Sequence, residues 1–473
     1  MYKRHSKKYD FLHRALTYSI MAIAVIAGVI ICLFLAMGYR FDFNSGKISQ
    51  VALLQFRSIP NKADVTVNDE LLPASTPTRL NVPAGKNNVK ISLDGYRSWK
   101  KTVDVSSGQV LWLDYVRLIP TSITTEVVQS FADMQDILLS PDKHWLFLQS
   151  STGFMLADIS DPESVRFSTF IIPDDLLIKP NADQEEQFAM IEWDSSSRYL
   201  LIRHSVGENV EFLRLDRQNP EKIINLNTEF KQPISKLNFA PNKTDEFYGI
   251  TNNTLNIFLH KDHSTVGQIV DYIVSDYSLS SDGKIAFIGS DTVNAAENNQ
   301  IIGVYHNNTT TDIKTFDQSA PTFVEMARFN DQDYLVIARD ETVTIYKDPI
   351  KQSTSEPIYL SSPSGIDWLS LSPTDRFVIA GNDGKIVGYD LDVKDNFSFE
   401  TSYTEAPSWL DNTHLVVTNK SQIQIMDFDG TNAENIVSGL DMAVLSSDGE
   451  FLFSLDKTND GVVLQRSKLV IED

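Results

Sequence analysis

The chain has 473 residues, with 41 Lys and Arg against 63 Asp and Glu, a formal net charge of −22, 42% hydrophobic residues, eight His and one Cys. Such a hydrophobic share supplies a sizeable core and excludes general disorder. Polyanionic nucleic acid is held by Lys/Arg-rich surfaces through counterion release, and no basic patch stands beyond the first fourteen residues, so no nucleic-acid partner is expected.

Residues 1–14 hold Lys3, Arg4, Lys7, Lys8 and Arg14 against one acid, Asp10, and form a basic tail. From Ala15 to Tyr39 there follow 25 residues without a charge. Roughly 20 apolar residues at 1.5 Å each cross a ~30 Å hydrocarbon core, so residues 15–39 are expected to span a membrane as one helix. Basic residues stay on the cytoplasmic side of a span. The five before it, against Arg40 just after it, put the N-terminus inside and the bulk of the chain outside. Ala36-Met37-Gly38 loosely fits a small-x-small processing site, but the apolar run exceeds the ~7–15 residues of a signal peptide, which favours a retained anchor. The only Cys, Cys32, lies within the span, so the outer part has no disulfide and must be held by cores alone.

From residue 46 to 120 the pattern becomes period-two alternation, with Val65 and Val67, Leu80 and Val82, Val89, Ile91 and Leu93, then Val103 and Val105, broken by Gly85, Gly95 and Gly108. This predicts a compact antiparallel β-sandwich. Residues 59–68, Ile-Pro-Asn-Lys-Ala-Asp-Val-Thr-Val-Asn, then Ser75-Thr76-Pro77, Pro83-Ala84-Gly85 and Asp94-Gly95-Tyr96-Arg97-Ser98-Trp99, resemble the PEGA domain in order and spacing. The signature Pro-Glu-Gly-Ala is here Pro60-Asn61-Lys62-Ala63, and the usual Asn-Gly of the next turn is Asn68-Asp69, so both turns lack their glycine. The resemblance implies a spacer or adhesion-like module, common in surface proteins that meet envelope polymers, with no defined catalytic role.

Over residues 121–473 one unit recurs: a strand, a turn of Ser, Asp, Asn or Pro, a strongly apolar second strand, and a third strand. The turns start at Ser140, Asp194, Ala240, Ser280, Asn330, Ser372, Leu410 and Ser446, 36 to 54 residues apart, with a mean of about 44. That period is a propeller blade of four short strands and four loops. The units resemble TolB-like and WD-type β-propeller repeats, most closely in residues 423–432, where a third strand ends in the Asp429-Gly430 turn. Eight anchors give eight blades. Seven result if the first segment, Ile123 to Gln129, completes the last blade and the long insertion over 174–187 interrupts the second. The fold class is therefore all-β, a seven- or eight-bladed propeller preceded by a small sandwich and one N-terminal helix.

No Gly-x-Ser-x-Gly elbow occurs and no length remains beside the propeller for an α/β-hydrolase domain, which argues against a peptidase of that class. The pair His260 and His263 reads as surface residues rather than zinc ligands, and the acidic run from Asp427 to Glu434 reads as a hairpin turn rather than a calcium loop. No metal, cofactor or catalytic residue is assigned. In the sandwich, Tyr96, Trp99 and Trp112 offer either a sugar-stacking platform or core and sheet-edge packing. In the repeats, Trp193, Trp368 and Trp409 stand on first strands just before the turns, where they either stack on a ligand at the channel end or pack between blades. The expected function is binding and scaffolding at the cell envelope, with a cell-wall or surface-layer polymer or an envelope protein as partner. The alternative is a propeller-fold glycan hydrolase or lyase. Gly28 and Gly38 are not at the four-residue spacing of a close-packed helix dimer, so the oligomeric state stays open.

Overall fold

The computed structural model describes residues 7–36, 39–42, 47–151, 153–181, 183–291, 299–351, 356–382, 384–401, 406–440 and 442–471. Lys3 and Arg4 of the basic tail, and Met37 and Gly38 of the small-x-small site, lie outside the described residues. The chain divides into two compact units, Met1–Ser122 and Ile123–Glu472.

The first unit begins with a helix, Lys7–Ala36. Its segment Arg14–Phe34 has a mean hydropathy of 2.5, none of it is buried in protein, and it is long and apolar enough to cross a membrane. A two-sheet module follows. One sheet holds Tyr39–Asp42, Lys47–Ile59, Thr78–Pro83 and Val110–Arg117, and the other holds Asp64–Val67, Glu70–Leu71, Gly85–Ser92 and Trp99–Val105. Alternation along each strand sends Leu54, Phe56, Val65, Ile91, Trp99 and Leu113 into the core between the sheets. The antiparallel expectation needs one correction, because Lys47–Ile59 and Val110–Arg117 pair in parallel. They are the first and last long strands of the module, joined by all that lies between them rather than by a hairpin. The two glycine-less turns keep the backbone their glycines would favour: φ is 68° at Lys62, 50° at Asn68 and 67° at Asp69, while Gly95 stands at 79°. Buried Thr76 ties the first of these turns down, accepting the Ala63 N–H at 3.0 Å and lying 2.7 Å from the Ser58 hydroxyl.

The second unit holds eight four-stranded antiparallel sheets among the described residues, spanning 136–170, 186–225, 234–266, 273–316, 322–361, 368–400, 408–438 and 443–468, with Thr125–Phe131 as the fourth strand of the last. These are blades 1 to 8 of a β-propeller. The segment at the start of the unit does complete the last blade, yet the count is eight, because every one of the eight turn anchors carries its own three strands. The second strands are buried along nearly their whole length, as in Leu146-Phe147-Leu148 and Phe377-Val378-Ile379-Ala380, because each is covered on both faces by neighbouring blades. Shared cores join neighbouring blades: Phe147, Trp193 and Leu213 join blades 1 and 2, and Leu146, Leu148, Phe453 and Leu464 join blades 1 and 8. First strands lie against one another between blades 1 and 2, blades 4 and 5, and blades 5 and 6.

Candidate functional site

The recurrent turns explain their own residue types. Ser140, Ser280, Ser372 and Ser446 are all buried. Each hydroxyl accepts the N–H that opens the second strand, from Trp145, Lys284, Phe377 and Phe451 at 2.9–3.0 Å. Asp194 does the same for Tyr199 at 2.7 Å. Asn330-Asp331 in blade 5 instead forms a two-residue hairpin between Phe329 and Gln332, with φ of 49° and 58°.

Neighbouring blades are latched at the ends of their first strands. The Trp193 indole N–H donates to the Leu138 carbonyl at 3.3 Å, and that of Trp409 to the Ser370 hydroxyl at 3.1 Å. The Phe239 N–H donates to Glu192 at 2.6 Å, and the Met326 N–H to Ser278 at 3.3 Å. Trp193 and Trp409 occupy matching places, opposite Leu200 and Leu415 of their second strands. Trp368 is opposite Gly381, three residues earlier than that place, and packs, like Trp409, against the buried cluster of Ile379, Ile386, Leu415, Val417 and Met426. All three indoles therefore serve the contact between blades 1 and 2 or between blades 6 and 7.

The first strands of blades 2 to 5 also carry charge. Lys236 is ion-paired with Asp276 and donates to the Tyr277 carbonyl at 2.8 Å, and the Ser278 hydroxyl donates to Glu325 at 2.5 Å. Burial pushes the Glu192 carboxyl up to about 7, against the hydrogen bonds from Phe239 and Asn238 and the charge of Lys236, which pull it down. Burial raises Glu325 as well. Among the described residues no three His, Cys, Asp or Glu side chains converge as a metal ion would require. His260 and His263 both meet Glu229, at 2.6 and 3.2 Å. A group the repeat pattern does not announce is His204, fully buried between Glu186 at 2.9 Å and Glu211 at 3.0 Å. Glu211 also accepts the Ile178 N–H at 2.9 Å and so pins the 171–185 insertion to blade 2.

In the two-sheet module the three aromatic candidates do not share a surface. Trp99 is buried and meets Tyr115 edge-on at 6.1 Å. Tyr96 is buried, its backbone bridged to Pro120. Trp112 is 51% exposed. It belongs to the outward row of its strand, and the register places it opposite Gln55, which in turn stands opposite Arg79. The row Arg79, Gln55, Trp112 thus crosses three adjacent strands, roughly 10 Å in all at the ordinary strand spacing. Around it lies a groove of about 480 Å³, lined also by Arg57, Thr78 and Asp114. The strand register shifts between Phe56 and Ser58, so Arg57 stands at a bulge, a feature that re-aims a side chain. Arg57, Arg79 and Asp114 form no ion pair with any described residue. Sequence reading found Trp112 but missed its neighbours. Their signal is the outward half of the alternation, Gln55 with Arg57 and Trp112 with Asp114.

Arranged this way, a flat apolar ring beside planar hydrogen-bonding side chains suits a sugar face and its hydroxyls. No curated protein matches the chain. Similar solved structures include the Dos1 propeller, 13% identical with a TM-score of 0.47, covering 74% of this chain and 95% of that one. The β-propeller domain of Cps50 (Swd1) from Myceliophteria thermophila is 10% identical with a TM-score of 0.40, covering 67% of this chain and 100% of that one. An oligogalacturonate lyase from Vibrio parahaemolyticus is 8% identical with a TM-score of 0.39, covering 74% of this chain and 99% of that one. Residues 52–119 match the family model of the PEGA domain. The chain thus carries a PEGA domain followed by an eight-bladed β-propeller, behind an N-terminal apolar helix.

Proposed function

We propose that the protein is a membrane-anchored, extracytoplasmic binding protein whose PEGA domain contacts a cell-envelope glycan through the Trp112 face, while the propeller presents its loops to a protein partner. The basic tail before the apolar helix supports an inside N-terminus. The observation that carries the glycan reading is the half-exposed Trp112 indole set in a groove with Gln55, Thr78, Arg79 and Asp114. Aromatic faces stack on the apolar faces of sugar rings while neighbouring amide, guanidinium and carboxylate groups take the hydroxyls. The test is co-sedimentation of the full chain, in detergent, with purified cell-wall polysaccharide. Trp112→Ala is expected to weaken association about tenfold or more without changing the melting temperature. Equal sedimentation of wild type and variant would remove the Trp112 face from the reading.

A second reading, a glycan hydrolase or lyase in the propeller, has one observation in its favour. Glu192 stands on a first strand near Lys236, and its carboxyl at about 7 is suited to a general acid. Release of reducing or unsaturated ends from the same polysaccharide, lost in Glu192→Gln, would support it. No release by wild type would dismiss it.

A further inference from the structure

We infer that the ligand of the Trp112 face is an acidic glycan, a chain of sugar rings bearing carboxylates, clamped by Arg57 and Arg79. This deepens the glycan reading above and rests on it. The first argument is how charge is divided along the chain. Residues 40–122 carry 11 basic and seven acidic residues, a net +4, whereas residues 123–473 carry 25 basic and 55 acidic, a net −30. A polyanion is repelled by the second unit, and its attraction has to come from the first.

The second argument is local. Arg79 stands opposite Gln55 in the register, and Arg57 lies two residues further along the same outward row, so the two arginines are diagonal neighbours on adjacent strands, and both line the same groove. Neither is neutralised by a carboxylate among the described residues. A guanidinium presents a rigid fork that matches a carboxylate through two parallel hydrogen bonds. Trp112, one strand beyond Gln55, supplies what a bare polyanion does not use, a flat apolar face for the ring itself. Asp114 in the same groove is an acceptor for hydroxyl groups and would repel a continuous sheet of phosphate, which sets a hydroxyl-rich glycan above an anionic lipid surface as the occupant.

The experiment uses the full chain in phosphatidylcholine nanodiscs and four probes: alginate, with rings and carboxylates; pullulan, with rings and no charge; polyphosphate, with charge and no rings; and phosphatidylglycerol vesicles. Wild type is expected to bind alginate at least tenfold more tightly than pullulan at low salt, with the gap narrowing as salt rises. The double variant Arg57→Gln/Arg79→Gln should lose about tenfold more on alginate than on pullulan, where only hydroxyl contacts are weakened, and Arg57→Lys/Arg79→Lys should fall between on alginate, since charge is kept and the fork is lost. Trp112→Ala should weaken both glycans. All these side chains are exposed, so unchanged melting temperatures separate lost binding from lost folding. Equal, Trp112-dependent binding of alginate and pullulan would overturn the acidic-glycan inference and leave the glycan reading standing. Polyphosphate or vesicles bound as tightly as alginate, and indifferent to Trp112→Ala, would overturn the inference in favour of a general anion surface. Binding of alginate that ignores both Trp112 and the arginines would overturn the inference and the reading together.

Discussion

Ser372 shows in one residue how a propeller uses its turns. Its hydroxyl takes the Phe377 N–H at 2.9 Å, and both groups are buried. Ser372→Ala leaves that amide without its acceptor, which costs about 1–3 kcal/mol. A lowered urea midpoint with an unchanged denaturant slope is expected, and an unchanged midpoint would show the turn to be held by its backbone alone. Trp409 is the complementary case. Trp409→Phe keeps the ring that stacks on Phe377 and removes the N–H that reaches Ser370, a loss of about 1 kcal/mol. Glycan sedimentation by this variant should equal that of wild type, because the indole serves the seam between blades 6 and 7. A selective loss of binding at unchanged stability would give that side chain the ligand-stacking role instead.

Among the elements, the first strands of blades 2 to 5 set a pH dependence whose sign follows from burial. Glu192 has its ordinary value near 4.5 in the unfolded chain and about 7 in the fold. The native state therefore holds a proton that the unfolded state has released, and stability falls as pH rises from about 4.5 to 7, by no more than about 3 kcal/mol. Asp216 and Asp282 act oppositely. Burial would raise each, but hydrogen bonds from Arg198 and Asn219 in one case, and from Lys284 and Ser280 in the other, hold them at about 2. Their contribution is present above about pH 4 and disappears as pH falls through about 2. Glu192→Gln should flatten the fall in stability between pH 5 and 7 when melting temperatures are measured against pH, and an identical slope in both proteins would place the titrating group elsewhere.

These strands also show which features can be read from sequence. A blade is legible because its second strand must be apolar on both faces and its turn must supply an acceptor, and both demands are met within about ten residues. Trp112 is legible as a candidate because an aromatic is conspicuous in any strand. The partners of Lys236, the matching of Trp193 with Trp409 but not Trp368, and the row Arg79, Gln55, Trp112 all depend on register between strands far apart in the chain. So does the parallel pairing in the PEGA domain. Neither hydrophobic period nor turn type encodes that register.

For the propeller as a whole, stability rests on one seam made from its two ends. Thr125–Phe131 pairs with Gly461–Lys468, and no other blade depends on a strand so distant in sequence. Gly461 sits at the start of the last strand with φ of 138°, where a Cβ would stand 2.2 Å from the Phe131 carbonyl oxygen and 2.9 Å from that of Ala132. Gly461→Ala must push the seam strand away, so limited proteolysis should cut first around residues 123–132 in the variant and not in wild type. An identical digestion pattern would mean that the seam closes without that close approach.

The same seam gives the molecule a history in time. Synthesis delivers the strand 125–131 before any complete blade and its partner, Gly461–Lys468, only after seven complete blades, so through all that interval the nascent protein holds an open row of backbone donors and acceptors that nothing yet made can occupy. A chain interrupted before Gly461 is therefore an unclosed ring, and its single waiting edge is a template for any other strand it meets.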